Sequence, residues 1–249
     1  MGVIHKPKKL QKITKKKYKL RRPWKLMHQE STKNFVDNPD FHLLLGIHAG
    51  DGYLEKYKWR FADNSKEAAE KVAGFIGNVF EFPARVYKDK RNNCWYAEVT
   101  RRKFSEAIAN AGFPYGNKAG ILKIPQITKK SILFLKSFLN GVFGCEATIY
   151  KKYYKQRTKN YPIIRLVMCD KNFIKEIAHY LIYLGLSINM YSTKPFKNSF
   201  SNKRRHAITL FGSNVKKFYE EIGLWHPLKT PQLLSSGRIG EVTAHQTKD

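Results

Sequence analysis

The stretch Phe41-His42-Leu43-Leu44-Leu45-Gly46-Ile47-His48-Ala49-Gly50-Asp51-Gly52-Tyr53-Leu54 governs the interpretation of this chain, because a variant of it returns as Phe138-Leu139-Asn140-Gly141-Val142-Phe143-Gly144-Cys145-Glu146-Ala147-Thr148-Ile149. Each copy reads as an apolar helix that ends in one carboxylate. Gly46, Ala49 and Gly50 stand at i, i+3 and i+4 in the first copy, as do Gly141, Gly144 and Cys145 in the second. Each helix therefore carries a stripe of small residues on one face. The absence of side-chain bulk lets two such faces approach closely. Packed in parallel, the helices bring Asp51 and Glu146 out side by side at the same end. An acid there lies at the negative end of the helix dipole. The same penalty taken twice calls for a shared cation, and a divalent metal suits two carboxylates.

The pattern resembles that of the LAGLIDADG homing endonucleases in their single-chain, two-motif form. The match runs from Leu44 to Gly52 and from Leu139 to Ala147, with the acids 95 positions apart; His48, Ala49 and Cys145 depart from the consensus letters. The resemblance implies an α+β fold of two pseudo-symmetric αββαββα halves, whose antiparallel sheets form a DNA-binding saddle around the central motif helices. It further implies an intron-encoded endonuclease, monomeric, that breaks both strands of a long DNA target and leaves 3′ overhangs. Mg2+ is the implied cofactor, with Ca2+ or Mn2+ able to substitute, and Asp51, Glu146, Gly50 and Cys145 form the implied metal set. The family also has a basic residue, often Lys, after the last helix of each half. The internal repeat nominates Lys118, six residues beyond Gly112, and Lys229, six beyond Gly223. Their role would be to polarise water or to stabilise charge on the phosphate.

Composition agrees with a polyanionic partner. The chain has 249 residues, with 47 Lys and Arg against 19 Asp and Glu, a net charge of +28 and a pI near 10.0. An excess this large repels itself without counter-charge. Cys94, Cys145 and Cys169 lie far apart and form no CxxC pair, which argues against a zinc knuckle or a disulfide framework. No run approaches the ~18 apolar residues of a membrane span. The expected setting is intracellular and soluble.

Along the chain, residues 1–37 read as a basic arm, since residues 1–25 hold eleven Lys or Arg and no acid. The first half spans 38–112. Asn38-Pro39-Asp40 supplies a cap, a proline at the first helical position and a first-turn acid, and Gly52 is the expected helix stop. Strands follow at 53–57 and 58–62, then a helix capped by Asn64 with Glu67, a hairpin at 84–87 and 95–100, and a helix over 103–111. A linker covers 113–130. The second half, 131–229, repeats the order, with strands at 148–154, 163–168, 188–192 and 206–211. Residues 230–249 lack periodicity and read as a tail.

The expected strands are crowded with hydrogen-bond donors suited to the major groove. In the first half these are Lys56, Lys58, Arg60, Arg85, Lys88, Lys90 and Arg91. In the second they are Lys151, Lys152, Lys155, Arg157, Arg165, Lys194, Lys197, Lys203, Arg204 and Arg205. His48 reads as a packed helix residue, since no second His or Asn stands at ligand spacing. Two other functions would suit the same scaffold: a splicing maturase that binds intron RNA, and a DNA-binding factor without catalysis. Retention of both Asp51 and Glu146 favours the nuclease.

Overall fold

A computed structural model of the chain describes residues 35–152, 161–194 and 204–235. Nearly all of the basic arm, Lys155, Arg157, Lys197 and Lys203, and most of the C-terminal tail lie outside the described residues. The element order is α1 (Pro39–Gly50), β1 (Gly52–Glu55), β2 (Lys58–Asp63), α2 (Lys66–Phe80), β3 (Arg85–Asp89), β4 (Cys94–Val99) and α3 (Arg102–Asn110), then α4 (Ile132–Glu146), β5 (Ala147–Lys152), β6 (Tyr161–Met168), α5 (Lys171–Tyr183), β7 (Asn189–Thr193), β8 (Arg205–Phe211) and α6 (Ser213–Glu221). A seventh helix, α7 (Lys229–Ser235), follows. The αββαββα order thus occurs twice.

Local chemistry accounts for the helix starts. The Asn38 side chain accepts the Asp40 amide at 2.9 Å and Pro39 opens α1, as the cap pattern predicts. The cap of α2 is Ser65 rather than Asn64: its hydroxyl accepts the Ala68 amide at 3.1 Å and donates to Glu67 at 2.7 Å. Asp170 caps α5, accepting from the amides of Asn172 and Phe173 at 3.1 Å each. Gly52 is the first residue of β1 and has no left-handed backbone. It is small for another reason, since a Cβ there would lie 2.5 Å from the His48 Cα. The C-terminal tail is not wholly aperiodic, because α7 buries Leu233 completely; a single apolar anchor leaves no period to detect.

Each half builds one antiparallel sheet, ordered β1-β2-β4-β3 and β5-β6-β8-β7. Strand alternation sends Leu54, Trp59, Phe61, Ala97 and Val99 of the first sheet, and Ile164, Leu166, Ile208 and Leu210 of the second, into the core. Cross-strand neighbours on the opposite face run Tyr53, Arg60, Glu98, Arg85 in the first sheet and Thr148, Arg165, Thr209, Asn189 in the second.

Helices α1 and α4 pack at the centre. A Cβ on Gly46 would lie 2.1 Å from the Phe138 carbonyl oxygen, and one on Gly141 would lie 2.3 Å from the Leu43 carbonyl oxygen. Gly50 is pressed on Cys145 in the same way, at 2.5 Å from its Cβ. The stripe does not serve one interface throughout. Gly144 makes room for Trp225, whose indole nitrogen would be 1.9 Å from a Cβ, and Ala49 borders a cleft beside Lys118.

The segments that follow each half cross to the other. The linker docks on α5, where Leu122 and Ile124 donate their amides to Asp170 at 3.0 Å and Glu176 at 2.9 Å. After α6, Trp225 meets Phe61 and Phe75 of the first half at ring distances of 5.8 and 6.2 Å. Gly112 and Gly223 adopt φ of 108° and 78°, conformations that favour glycine where each crossing segment leaves its helix.

Candidate active site

Both acids stand where their helices end. Asp51 caps α1, its amide donating to the Ile47 carbonyl at 3.0 Å, and Glu146 is the last residue of α4. The carbonyls exposed by the last turn of each helix have no partner within it. A lysine fills each end. Lys118 Nζ donates to the carbonyls of Gly50 at 2.7 Å and Gly52 at 2.5 Å, and also to that of His48. Lys229 Nζ donates to the carbonyls of Gly144 at 2.7 Å and Cys145 at 2.5 Å. Neither lysine is a free linker cation; each is seated by its motif helix.

The four charges are strongly coupled to one another and to the surrounding protein. Burial raises Glu146 to about 7, reinforced by the Asp51 charge and opposed by Lys118 and Lys229. Burial also raises Asp51, although the residue keeps an exposed edge, while Lys229, Lys118 and the Cys145 thiol pull it down. Lys118 is lowered to about 8 by burial, against the attraction of Asp51. Lys229 is lowered for the same reason. Two carboxylates at the negative ends of two helices thus resist ionisation together, a state that added positive charge would relieve.

The donor set suits a hard divalent cation. Asp51 and Glu146 supply carboxylate oxygens, and the carbonyls of Gly50 and Cys145, one residue before each acid, keep a second lone pair beyond the lysine bond. Among the described residues there is no cluster of three or more His, Cys, Asp and Glu, so the remaining ligands would be water or substrate oxygens. The Cys145 thiol is directed at the Ile47 carbonyl, 3.8 Å away, and burial raises its pKa well above the ordinary value.

A cleft of about 520 Å³ opens beside this site, lined by Lys118, Glu146, Gly50, Tyr53, Cys169 and Asp170 among others. His48 is held by packing, as its place in the helix predicts. It is buried, its Nδ1 accepts the Trp59 indole N–H at 3.1 Å, and burial with the nearby Lys118 keeps it neutral.

One feature escaped the sequence: His226 Nε2 meets the Asp63 carboxylate at 3.2 Å across the two halves, while its Nδ1 accepts the Leu228 amide at 3.3 Å. That amide bond assigns the ring proton to Nε2, so His226 donates to Asp63. Burial raises the Asp63 carboxyl, but the His226 and Ser65 bonds outweigh it and the net shift is downward. His226 has no counterpart after Gly112, where the chain runs Phe113-Pro114-Tyr115, so the repeat could not nominate it. Its position three residues before Lys229 was the available signal.

The open sheet faces hold many of the basic residues expected there, among them Lys58, Arg60, Arg85, Arg165 and Arg205. Lys88 and Lys151 are exceptions. Their register sets Lys88 opposite Trp95, and Lys151 on the same side as Ala147 and Ile149, so both belong to the helix-covered face. Lys56, Lys90, Arg91, Lys194 and Arg204 are exposed in turns or at strand ends, and Arg91 is paired with Asp89 at 3.2 Å.

The family model of the LAGLIDADG-like domain matches residues 133–223. The backbone matches that of the homing endonuclease I-DmoI in complex with DNA and Mn, with a TM-score of 0.54 at 15% identity over 76% of this chain and 98% of that one. The complex of I-DmoI with DNA and Ca matches with a TM-score of 0.54 at 15% identity, over 82% and 98%. Full-length DUF199/WhiA from Thermatoga maritima matches at 0.50 and 12% identity, over 84% and 67%. This chain has the LAGLIDADG fold. The two halves share it, although the LAGLIDADG-like domain model covers only the second. At these identities the likeness is one of fold, and what the LAGLIDADG fold does here must come from the site.

Proposed function

We propose that this protein is a site-specific DNA endonuclease that hydrolyses both strands with divalent metal held between Asp51 and Glu146. The observation that carries this reading is the pairing of two carboxylates at abutting helix ends, each end filled by its own lysine. A structural helix terminus has no need of an acid and a half-buried lysine seated on its last carbonyls, and here that arrangement occurs twice. The open basic sheets and the net charge of +28 supply the surface for a duplex. Both halves lie in one chain, so a monomer suffices. The I-DmoI complexes with DNA, Mn and Ca support the partner and the class of cofactor.

Bound metal would neutralise the scissile phosphate and lower the pKa of attacking water, Mg2+ being the physiological choice. Asp51 and Glu146 would hold it, and its charge would favour their ionised forms. Lys118 and Lys229, fixed on the helix ends by carbonyl bonds, present positive charge next to each carboxylate. Burial lowers Lys118 to about 8 and shifts Lys229 in the same direction, so each lysine either stabilises charge on the phosphate or assists proton transfer from water.

Selection from randomised duplex DNA with the purified chain in Ca2+, followed by transfer to Mg2+, tests this reading. Double-strand cutting of the retained DNA by the natural protein, with retention but no cutting by Asp51→Asn and Glu146→Gln, is the expected result. Retention without cutting in Mg2+ and Mn2+ would remove catalysis and leave a binding protein.

A further inference from the structure

The two sheets share a topology and differ sharply in charge. Residues 52–63 and 84–100, which form the first sheet and its turns, hold seven Lys or Arg and four Asp or Glu. The corresponding residues 147–168 and 186–212 of the second hold eleven Lys or Arg and no acid. Glu55 and Glu98 lie among its arginines and Asp89 pairs with Arg91, while Asp63 turns to His226 on the helix-covered side. Glu55 approaches Lys58 at 3.3 Å and Arg60 at 3.6 Å. Glu98 stands in register between Arg60 and Arg85 and accepts the Tyr87 hydroxyl at 3.0 Å. Rings complete the lattice: Arg60 lies over Tyr53 at 5.6 Å, Arg85 over Tyr87 at 4.8 Å, and Tyr87 stacks on Tyr96 at 5.4 Å.

Resting on the DNA-binding reading, we infer that the two faces divide recognition: the first selects base sequence, and the second supplies charge-driven grip on the phosphates. Carboxylates on a DNA-facing sheet repel phosphate, so they weaken binding to DNA in general. What they add is direction. An arginine pinned by a carboxylate and an aromatic face keeps its planar fork in one orientation, and a fork held in place discriminates guanine from other bases. A carboxylate left facing the groove can itself accept from cytosine. The strands and turns of the second sheet hold no carboxylate of their own to oppose phosphate, although Arg165 lies over the Tyr191 ring at 5.1 Å. Binding through it follows the release of counterions and depends steeply on salt, whatever the sequence.

The test uses the full chain, randomised duplex DNA in Ca2+, and two sets of surface variants whose folding is checked by urea unfolding. The natural protein should select a sequence whose fixed positions crowd to one side. The double variant Arg60→Gln, Arg85→Gln should lose that fixed block, with about tenfold loss of discrimination per base once read, while its affinity for unselected DNA changes less than about threefold. The double variant Lys194→Gln, Arg204→Gln should keep the block and lower the slope of log affinity against log salt by about two, at ~0.9 per phosphate contact. Fixed positions spread evenly over both sides, or a block that survives Arg60→Gln, Arg85→Gln, would overturn the division. Failure of the natural protein to retain any duplex at low salt would overturn the DNA-binding reading beneath it, a different and separable result.

Discussion

Lys118 and Lys229 occupy a position where a structural role coincides with the proposed chemical one. Each ties off helix carbonyls and each faces two carboxylates, so a substitution must be read on both counts. Lys118→Met removes the charge and keeps much of the stem. It should lower the single-turnover cleavage rate by about 10²–10³, the scale of losing one preorganised electrostatic contact, while DNA retention in Ca2+ holds within a few-fold. A parallel loss of retention and folding would mean that the lysine only caps the helix. The Glu146 carboxyl provides a second prediction. Its folded pKa, about 7, is above the ordinary value of 4.5, so between those limits the folded protein binds more protons than the unfolded chain. Stability contributed through this group is therefore present at low pH and lost as pH rises from about 4.5 to about 7. In metal-free buffer, Glu146→Gln should gain stability relative to the natural protein across that window, and Mg2+ should narrow the gap by binding only the natural site. Urea unfolding at pH 5 and pH 8, with EDTA or Mg2+, measures both effects. These lysines were legible because the repeat placed both at the same distance from matching glycines. His226 was not, because its partner Asp63 is 163 positions away and nothing in the first half answers it.

At the scale of elements, the central helices are held by backbone proximity rather than by interlocking side chains. Gly46 and Gly141 each face a carbonyl oxygen of the opposite helix, so an added methyl has no flexible neighbour to displace. Gly46→Ala or Gly141→Ala should lower stability by about 3 kcal/mol or more, beyond ordinary overpacking, because the backbones themselves must separate. Gly74 gives the contrast. It lies within α2 with nothing within 4 Å of an added Cβ, and Gly74→Ala should raise stability by about 0.5–1 kcal/mol through the unfolded state. Urea midpoints at constant slope distinguish the two signs. The small-residue spacing showed that two helices pack closely, and the structure agrees for Gly46, Gly50, Gly141 and Cys145. It does not agree for Gly144, whose neighbour Trp225 comes from a segment that sequence periodicity left unassigned. Alternation likewise decides which lysines reach the open face, and a count of charges contains no alternation.

The whole molecule is two copies of one unit that do not close on themselves. Each half lends its trailing segment to the other: the linker reaches Asp170 and Glu176 of α5, while Trp225 and His226 reach Phe61, Phe75 and Asp63. This exchange joins the fold to the site, because Lys118 and Lys229 lie on the crossing segments themselves. Loosening a crossing segment should then displace the nearby lysine before it unfolds the protein. His226→Ala removes the ring that bonds Asp63 and the Leu228 amide, and the loss of a buried hydrogen bond to a charged group is worth about 1.5–3 kcal/mol. Cleavage should fall more steeply than stability predicts, with the loss confined to one of the two strands if each lysine serves one cut. His226→Gln, which can still donate to Asp63, should restore most of the rate. Strand-specific nicking of a supercoiled target, read on labelled ends, distinguishes these outcomes: slower nicking of one strand ties the crossing segment to its lysine, and equal slowing of both strands shows that His226 acts only through overall stability.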